Sequence, residues 1–278
     1  MTSAEPRQPI HRAHPWHVAA YGSRLDAVRP AIVAEHREAL LLIVSILLAV
    51  VSLVYATVGQ AGGTAFLAVM AVMGSPAAEL RPTALILNVV AAGYATWRLH
   101  AAEAVDWRML ALVGIPALPA SFLGGLVALE GGLYYTLTGC ILLAAAVAMV
   151  TRWGVRPTTS PGAMAAAPLG ALSGFASGLT GVGGGVFLAP ALIALGWTTA
   201  RQAAGISAPF ILGNSISGLV GVLLAGQRPS ADTGSYALAA LTGAVAGTII
   251  GHRFMSERAT RYVLAAILLV AGSRLLTR

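Results

Sequence analysis

Residues 178–190 read Gly-Leu-Thr-Gly-Val-Gly-Gly-Gly-Val-Phe-Leu-Ala-Pro, and residues 58–70 read Val-Gly-Gln-Ala-Gly-Gly-Thr-Ala-Phe-Leu-Ala-Val-Met. In each, a glycine cluster interrupts a long apolar segment. An apolar piece about half as long as a membrane crossing follows, 64–74 in one case and 186–196 in the other. A helix needs about 20 apolar residues to span the hydrocarbon core. These two pieces therefore read as half-helices that enter the membrane without crossing it. Broken backbone at membrane depth must be buried in protein or line a watery cavity, because its amides find no partner in lipid.

Around the two clusters lie runs long enough to cross, near 39–58, 82–99, 109–128, 132–150, 163–180, 203–225, 234–251 and 259–276. The composition agrees, with 57% hydrophobic and 10% charged residues in a chain of 278. A soluble domain of that size could not cover its surface with so few charges. The fold expected is an all-α polytopic membrane protein with about eight transmembrane helices. Eight crossings with a cytoplasmic N-terminus put Arg98, Arg108, Arg152, Arg156, Arg228, Arg274 and Arg278 inside, as the positive-inside rule requires. Arg253, Arg258 and Arg261 then lie outside, against the rule. The compartment implied is a bacterial inner (plasma) membrane with both termini cytoplasmic.

The two halves match residue by residue. At an offset of 122, Gly59, Gly62, Gly63 and Gly74 pair with Gly181, Gly184, Gly185 and Gly196. At an offset of 126, Asn88 pairs with Asn214, Asp106 with Asp232, and Ala117, Ser121, Gly125 with Gly243, Gly247, Gly251. Two homologous four-helix repeats follow, each with one glycine-broken half-helix, at 39–150 and 163–278. Residues 151–162 form a cytoplasmic linker, and residues 1–38 form a basic, disordered cytoplasmic tail too polar to be a signal peptide. Repeats of this kind build many transporters, with the substrate site at their interface.

Candidate chemistry gathers at the breaks. Successive glycine amides can form an anion-binding nest, and the half-helix that starts there adds free N–H groups and a positive dipole end. Gly59, Gln60, Gly62 and Gly63 in the first cluster, with Thr180, Gly181, Gly183, Gly184 and Gly185 in the second, are the expected substrate-binding backbone. Asn88, Asn214 and Ser215 lie in apolar surroundings and could complete an anion's shell, while Ser217, Thr83 and Ser207 have weaker claims. Amides and hydroxyls also bond between helices, and glycines also let helices pack closely. The rows Gly170, Gly174, Gly178 and Gly243, Gly247, Gly251 are of that packing kind.

Other functions are excluded or weakened by what stands elsewhere. No Asp, Glu, His or Lys sits mid-span, so neither a proton relay nor a sodium site is expected, and no nucleophile–base pair suggests an enzyme. All 17 basic residues are Arg, dispersed between apolar runs without aromatic interleaving, which suits an anionic lipid surface rather than nucleic acid. Glu79, Arg81 and Arg201 lie at segment ends, as interfacial anchors or as steering charges at a pathway mouth. Trp97, Trp107, Trp153 and Trp197 fit an aromatic belt. Cys140 reads as a buried packing residue. His11, His14 and His17 share a spacing of three but have no carboxylate beside them, so no metal or cofactor is expected.

The quoted stretches, with Arg81-Pro-Thr-Ala-Leu-Ile-Leu-Asn88 and Phe210-Ile-Leu-Gly-Asn-Ser215, resemble the TauE/SafE sulfite exporter family over residues 39–278. The resemblance implies a permease exporting a small sulfur-containing anion such as sulfite or a sulfonate. Two positions depart between the halves: Ala61 stands where the second cluster has Gly183, and Ala68 where it has Pro190. An inside-negative potential favours anion export by about 2.3 kcal/mol per charge per 100 mV, so export needs no coupled ion. The alternatives are a non-transporting scaffold subunit and a transporter of a neutral or cationic solute. Homo-oligomerisation is left open by the sequence.

Overall fold

The structure, a computed structural model, describes residues 15–57, 59–129, 131–151, 161–254 and 257–277. Among the described residues it has ten helices and no strand. They are α1 (Pro15–Ala56), α2 (Gly63–Val72), α3 (Ala77–Ala101), α4 (Trp107–Leu126), α5 (Gly131–Thr151), α6 (Ala163–Thr180), α7 (Gly185–Ala194), α8 (Ala200–Leu224), α9 (Thr233–Phe254) and α10 (Glu257–Leu276). Five of them contain segments long and apolar enough to cross a membrane: Arg37–Ala56, Trp107–Leu126, Ala163–Thr180, Arg201–Leu224 and Thr233–Ile250. The remaining long helices, α3, α5 and α10, have 25, 21 and 20 residues.

Contacts divide the chain into residues 1–43 and residues 44–278. In the first unit the backbone is helical from Pro15 onward. Pro fits the first turn of a helix. Ala19, Ala20, Ala27, Ala31 and Ala34 are good helix formers, and the stretch extends the following span without a new nucleation step. His11 and His14 lie outside the described residues, as do Trp153 and most of the 151–162 linker.

The second unit exposes large apolar residues and buries polar ones among its apolar core. Ile115, Leu172, Leu224, Leu238 and Val270 stand more than half exposed, whereas Ser52, Thr64, Thr83, Asn88, Ser121 and Ser215 are buried. A surface of that kind belongs in lipid. Cys140 is exposed, a correction to its expected burial. Tyr134, Thr138 and Leu142 form the packed face of α5, and Cys140 falls on the other.

Glycine lets the helices touch backbone to backbone. A Cβ on Gly170, Gly174 or Gly178 of α6 would lie 2.0, 2.2 or 1.9 Å from the carbonyl oxygens of Val113, Ala117 and Ser121 on α4. On α9, Gly243 and Gly247 meet the carbonyls of Ala49 and Leu53 on α1 in the same way, at 2.1 Å each. Gly170, Gly174, Gly178, Gly243 and Gly247, all expected to serve packing, do so. Small residues at such crossings replace the hydrophobic driving force that lipid removes.

Candidate functional site

Each short helix grows out of a run of left-handed glycines. Gly59 and Gly62 have φ of 73° and 103° ahead of α2, and Gly181, Gly183 and Gly184 have 81°, 87° and 80° ahead of α7. Other residue types lose 1–2 kcal/mol in that conformation, roughly, because of their Cβ. The turns that close the short helices are left-handed too, at Gly74 (90°) and Gly196 (67°). So Gly59, Gly62 and Gly74 share their backbone sign with Gly181, Gly184 and Gly196, the residues they pair with at an offset of 122.

The N-caps of α2 and α7 are Gly62 and Gly184, and no side chain caps either. The first amides of a helix have no intrahelical acceptor. Ala65 N and Phe187 N turn back to the carbonyls of Gly62 and Gly184, so the candidate donors are the amides of Gly63, Thr64, Gly185 and Val186. These ends lie against each other. A Cβ on Gly63, the first residue of α2, would be 2.4 Å from the Val182 carbonyl oxygen and 2.4 Å from Asn88 Nδ2. One on Gly183 would be 3.0 Å from Asn88 Nδ2 and 3.3 Å from Ser215 Oγ. Gly63, Asn88, Val182, Gly183 and Ser215 therefore meet at one point, where α3 and α8 bring a polar side chain each to the joined breaks.

Several buried polar atoms around the breaks have no hydrogen-bond partner among the described residues: Asn88 Oδ1, Ser215 Oγ and Ser177 Oγ, and, within the first cluster, Gln60 Oε1. Asn88 Nδ2 donates to the Gly181 carbonyl at 3.4 Å, beyond the usual 2.7–3.2 Å. Buried polar groups are nearly always paired, so each exception needs a reason. Ser177 sits on the other side of the second break, with its Cβ 3.1 Å from a Cβ built on Gly184. Sequence reasoning passed over it because it falls within the packing row of α6.

Other expected residues are placed differently. Thr180 shapes the break: its hydroxyl donates to the Ala176 carbonyl at 2.6 Å, and its own carbonyl accepts from the Tyr134 hydroxyl at 2.8 Å. Asn214 donates to Phe210 O at 3.0 Å within its own helix, and its Oδ1 is unpaired. It lines a cleft of about 250 Å³ between α4 and α8 with Trp107, Ile115, Leu118 and Phe210. Gly185 packs on Ile211 and Gly59 on Ala204. Of the weaker candidates, Ser207 bonds back to Ala203 O and Ser217 to Leu118 O, while Thr83 accepts from Ser230 N. Tyr55 and Thr64, not singled out from the sequence, join hydroxyls at 2.5 Å beneath Gly62.

Arg81 is the largest correction. Expected at an interface, it is 1% exposed. Its Nη1 donates to Val127 O at 2.8 Å, and Nη2 donates to Gly178 O at 2.8 Å and to Gly124 O and Gly125 O at 3.2 Å. The guanidinium thus seals the carbonyl ends of α4 and α6, the partners a cation finds at helix C-termini. Its backbone packs on the second break, 3.1 Å from a Cβ built on Gly181.

A profile of the family described as Sulfite exporter TauE/SafE matches residues 43–275. The chain is 36% identical over 234 residues to the probable membrane transporter protein y4hK of Sinorhizobium fredii, covering 82% of this chain and 94% of that one. No solved structure matches. The chain belongs to the TauE/SafE family and is a multi-pass membrane transporter.

Proposed function

We propose that this TauE/SafE protein exports a small sulfur-containing anion, such as sulfite or a sulfonate, through a site between its two glycine breaks. The observation that carries the reading is the meeting of two uncapped helix N-termini around Asn88, Gly183 and Ser215. Each N-terminus carries roughly half a positive charge, so the pair favours an anion without any flexible cation in the site. Donors at hand are the first amides of α2 and α7, Asn88 Nδ2, and the hydroxyls of Ser215 and Ser177.

Two repeats, 39–150 and 163–278, underlie the site in this reading. Equal lengths of 10 residues for α2 and α7 and of 25 for α3 and α8 support it, as do the shared glycine conformations. The eight crossings lie in a bacterial inner membrane, with both termini cytoplasmic. Gly63 and Val182 are in contact, so the anion passes only when the two breaks part. The membrane potential drives export by about 2.3 kcal/mol per charge per 100 mV, roughly fiftyfold in concentration ratio.

The test is sulfite efflux from proteoliposomes under an imposed potential, comparing the wild-type protein with Asn88→Leu. Leu keeps the branching of Asn at Cγ and removes both of its hydrogen-bonding atoms. Potential-driven efflux that disappears in a folded Asn88→Leu protein supports the site. If the wild-type protein moves neither sulfite nor sulfonate, the anion reading fails and a scaffold or another solute takes its place.

A further inference from the structure

Arg81 is a full positive charge buried in the bundle. Four carbonyl oxygens receive it, three from the end of α4 and one from the end of α6. Those two helix ends together carry roughly one negative charge. Only four residues separate the end of α6 from the start of α7, on the approach to the joined breaks. Without the guanidinium, a negative helix end would sit beside the positive one that the anion needs.

We infer that Arg81 is an electrostatic positioning residue for the transported anion, cancelling the carbonyl ends of α4 and α6 so that the N-termini of α2 and α7 set the potential at the site. This inference rests on the anion site proposed above. Arg81 and Asn88 are seven residues apart on α3, which places them about 10 Å apart along the helix. At that distance, with an effective dielectric of about 20, one charge changes the affinity of a monoanion by roughly tenfold and of a dianion by roughly a hundredfold. A neutral ligand is unaffected.

A role confined to holding α4 and α6 together predicts something else. Every ligand would then weaken alike, in step with stability.

The test measures inhibition of sulfite efflux by three probes of similar shape and fixed charge: dimethyl sulfone, methanesulfonate and sulfate. In Arg81→Gln the affinity for sulfone is expected to stay, while that for methanesulfonate falls about tenfold and that for sulfate about a hundredfold. Arg81→Lys keeps the charge with fewer donors in the fork, and should restore the dependence on charge even where thermal stability is lost. Should Arg81→Gln not fold, the Lys variant carries the test alone, because loss of the charge dependence in a folded Arg81→Lys protein overturns the inference. Equal weakening of all three probes in Arg81→Gln, or no change in any, also overturns it. A wild-type protein that moves no sulfite removes the anion site itself, and the inference with it.

Discussion

Replacing Gly63 by Ala adds one methyl group where the two breaks touch. Gly63 has an ordinary negative φ, unlike Gly59 and Gly62, so Ala brings no backbone strain and is the better helix former. The consequence is steric. The new Cβ would lie 2.4 Å from Val182 O and from Asn88 Nδ2, and 2.8 Å from Asn88 Oδ1, whereas ordinary contact begins at 3.4 Å. The breaks must separate by about 1 Å, and overpacking of that order costs about 1–3 kcal/mol. In a chain of this size that lowers the melting temperature by roughly 2–12 °C and weakens the closed contact by roughly fivefold to 150-fold. Thermal unfolding and sulfite efflux measured side by side check both. Gly74→Ala is the control, because Gly74 is left-handed with φ 90° but has nothing within 4 Å of a built Cβ. It should lose stability through strain and keep its transport rate. A Gly63→Ala protein that matches the wild type in melting temperature and efflux refutes the argument that these breaks are in contact.

Two further outcomes follow from the same geometry. Gly174→Ala would put a Cβ 2.2 Å from Ala117 O and force α4 and α6 apart, so stability should fall by about 1–3 kcal/mol in chemical denaturation, with the affinity of the folded fraction for sulfite unchanged. Tyr134→Phe removes the hydroxyl that holds Thr180 O at 2.8 Å, a loss of about 1 kcal/mol. Faster hydrogen exchange at the amides of residues 181–184 is the expected sign, with exchange at α8 unaltered.

The breaks were legible because their cause is local. A glycine cluster followed by a short apolar run bounded by another glycine can be read directly, and α2 and α7 end within two residues of the expected pieces. The packing rows were legible for the same reason, since small residues four apart mark a helix crossing. Arg81 was not legible. Its acceptors stand 43, 44, 46 and 97 residues further along the chain, and a charge at the end of an apolar run looks interfacial until those carbonyls are in place. Asn88 and Asn214 look equivalent in sequence, yet one faces the opposite break and the other bonds within its own helix.

That difference between the asparagines extends to the other paired positions. Gly183 is left-handed and admits Asn88 and Ser215 to the break, whereas Ala61, at the matching place, has no left-handed backbone. Arg81 corresponds at an offset of 126 to Ser207, whose hydroxyl only bonds back to Ala203 O at 2.7 Å. A frame built twice would by itself create two equivalent sites, and an anion held between them would be drawn equally to both. Here the third left-handed glycine, the unpaired serine hydroxyls and the buried cation all attend the second break, while the first contributes its helix end and Gly63. The anion is therefore expected to sit closer to α7 than to α2, and substitutions around Gly183 should alter its affinity more than equivalent ones around Ala61.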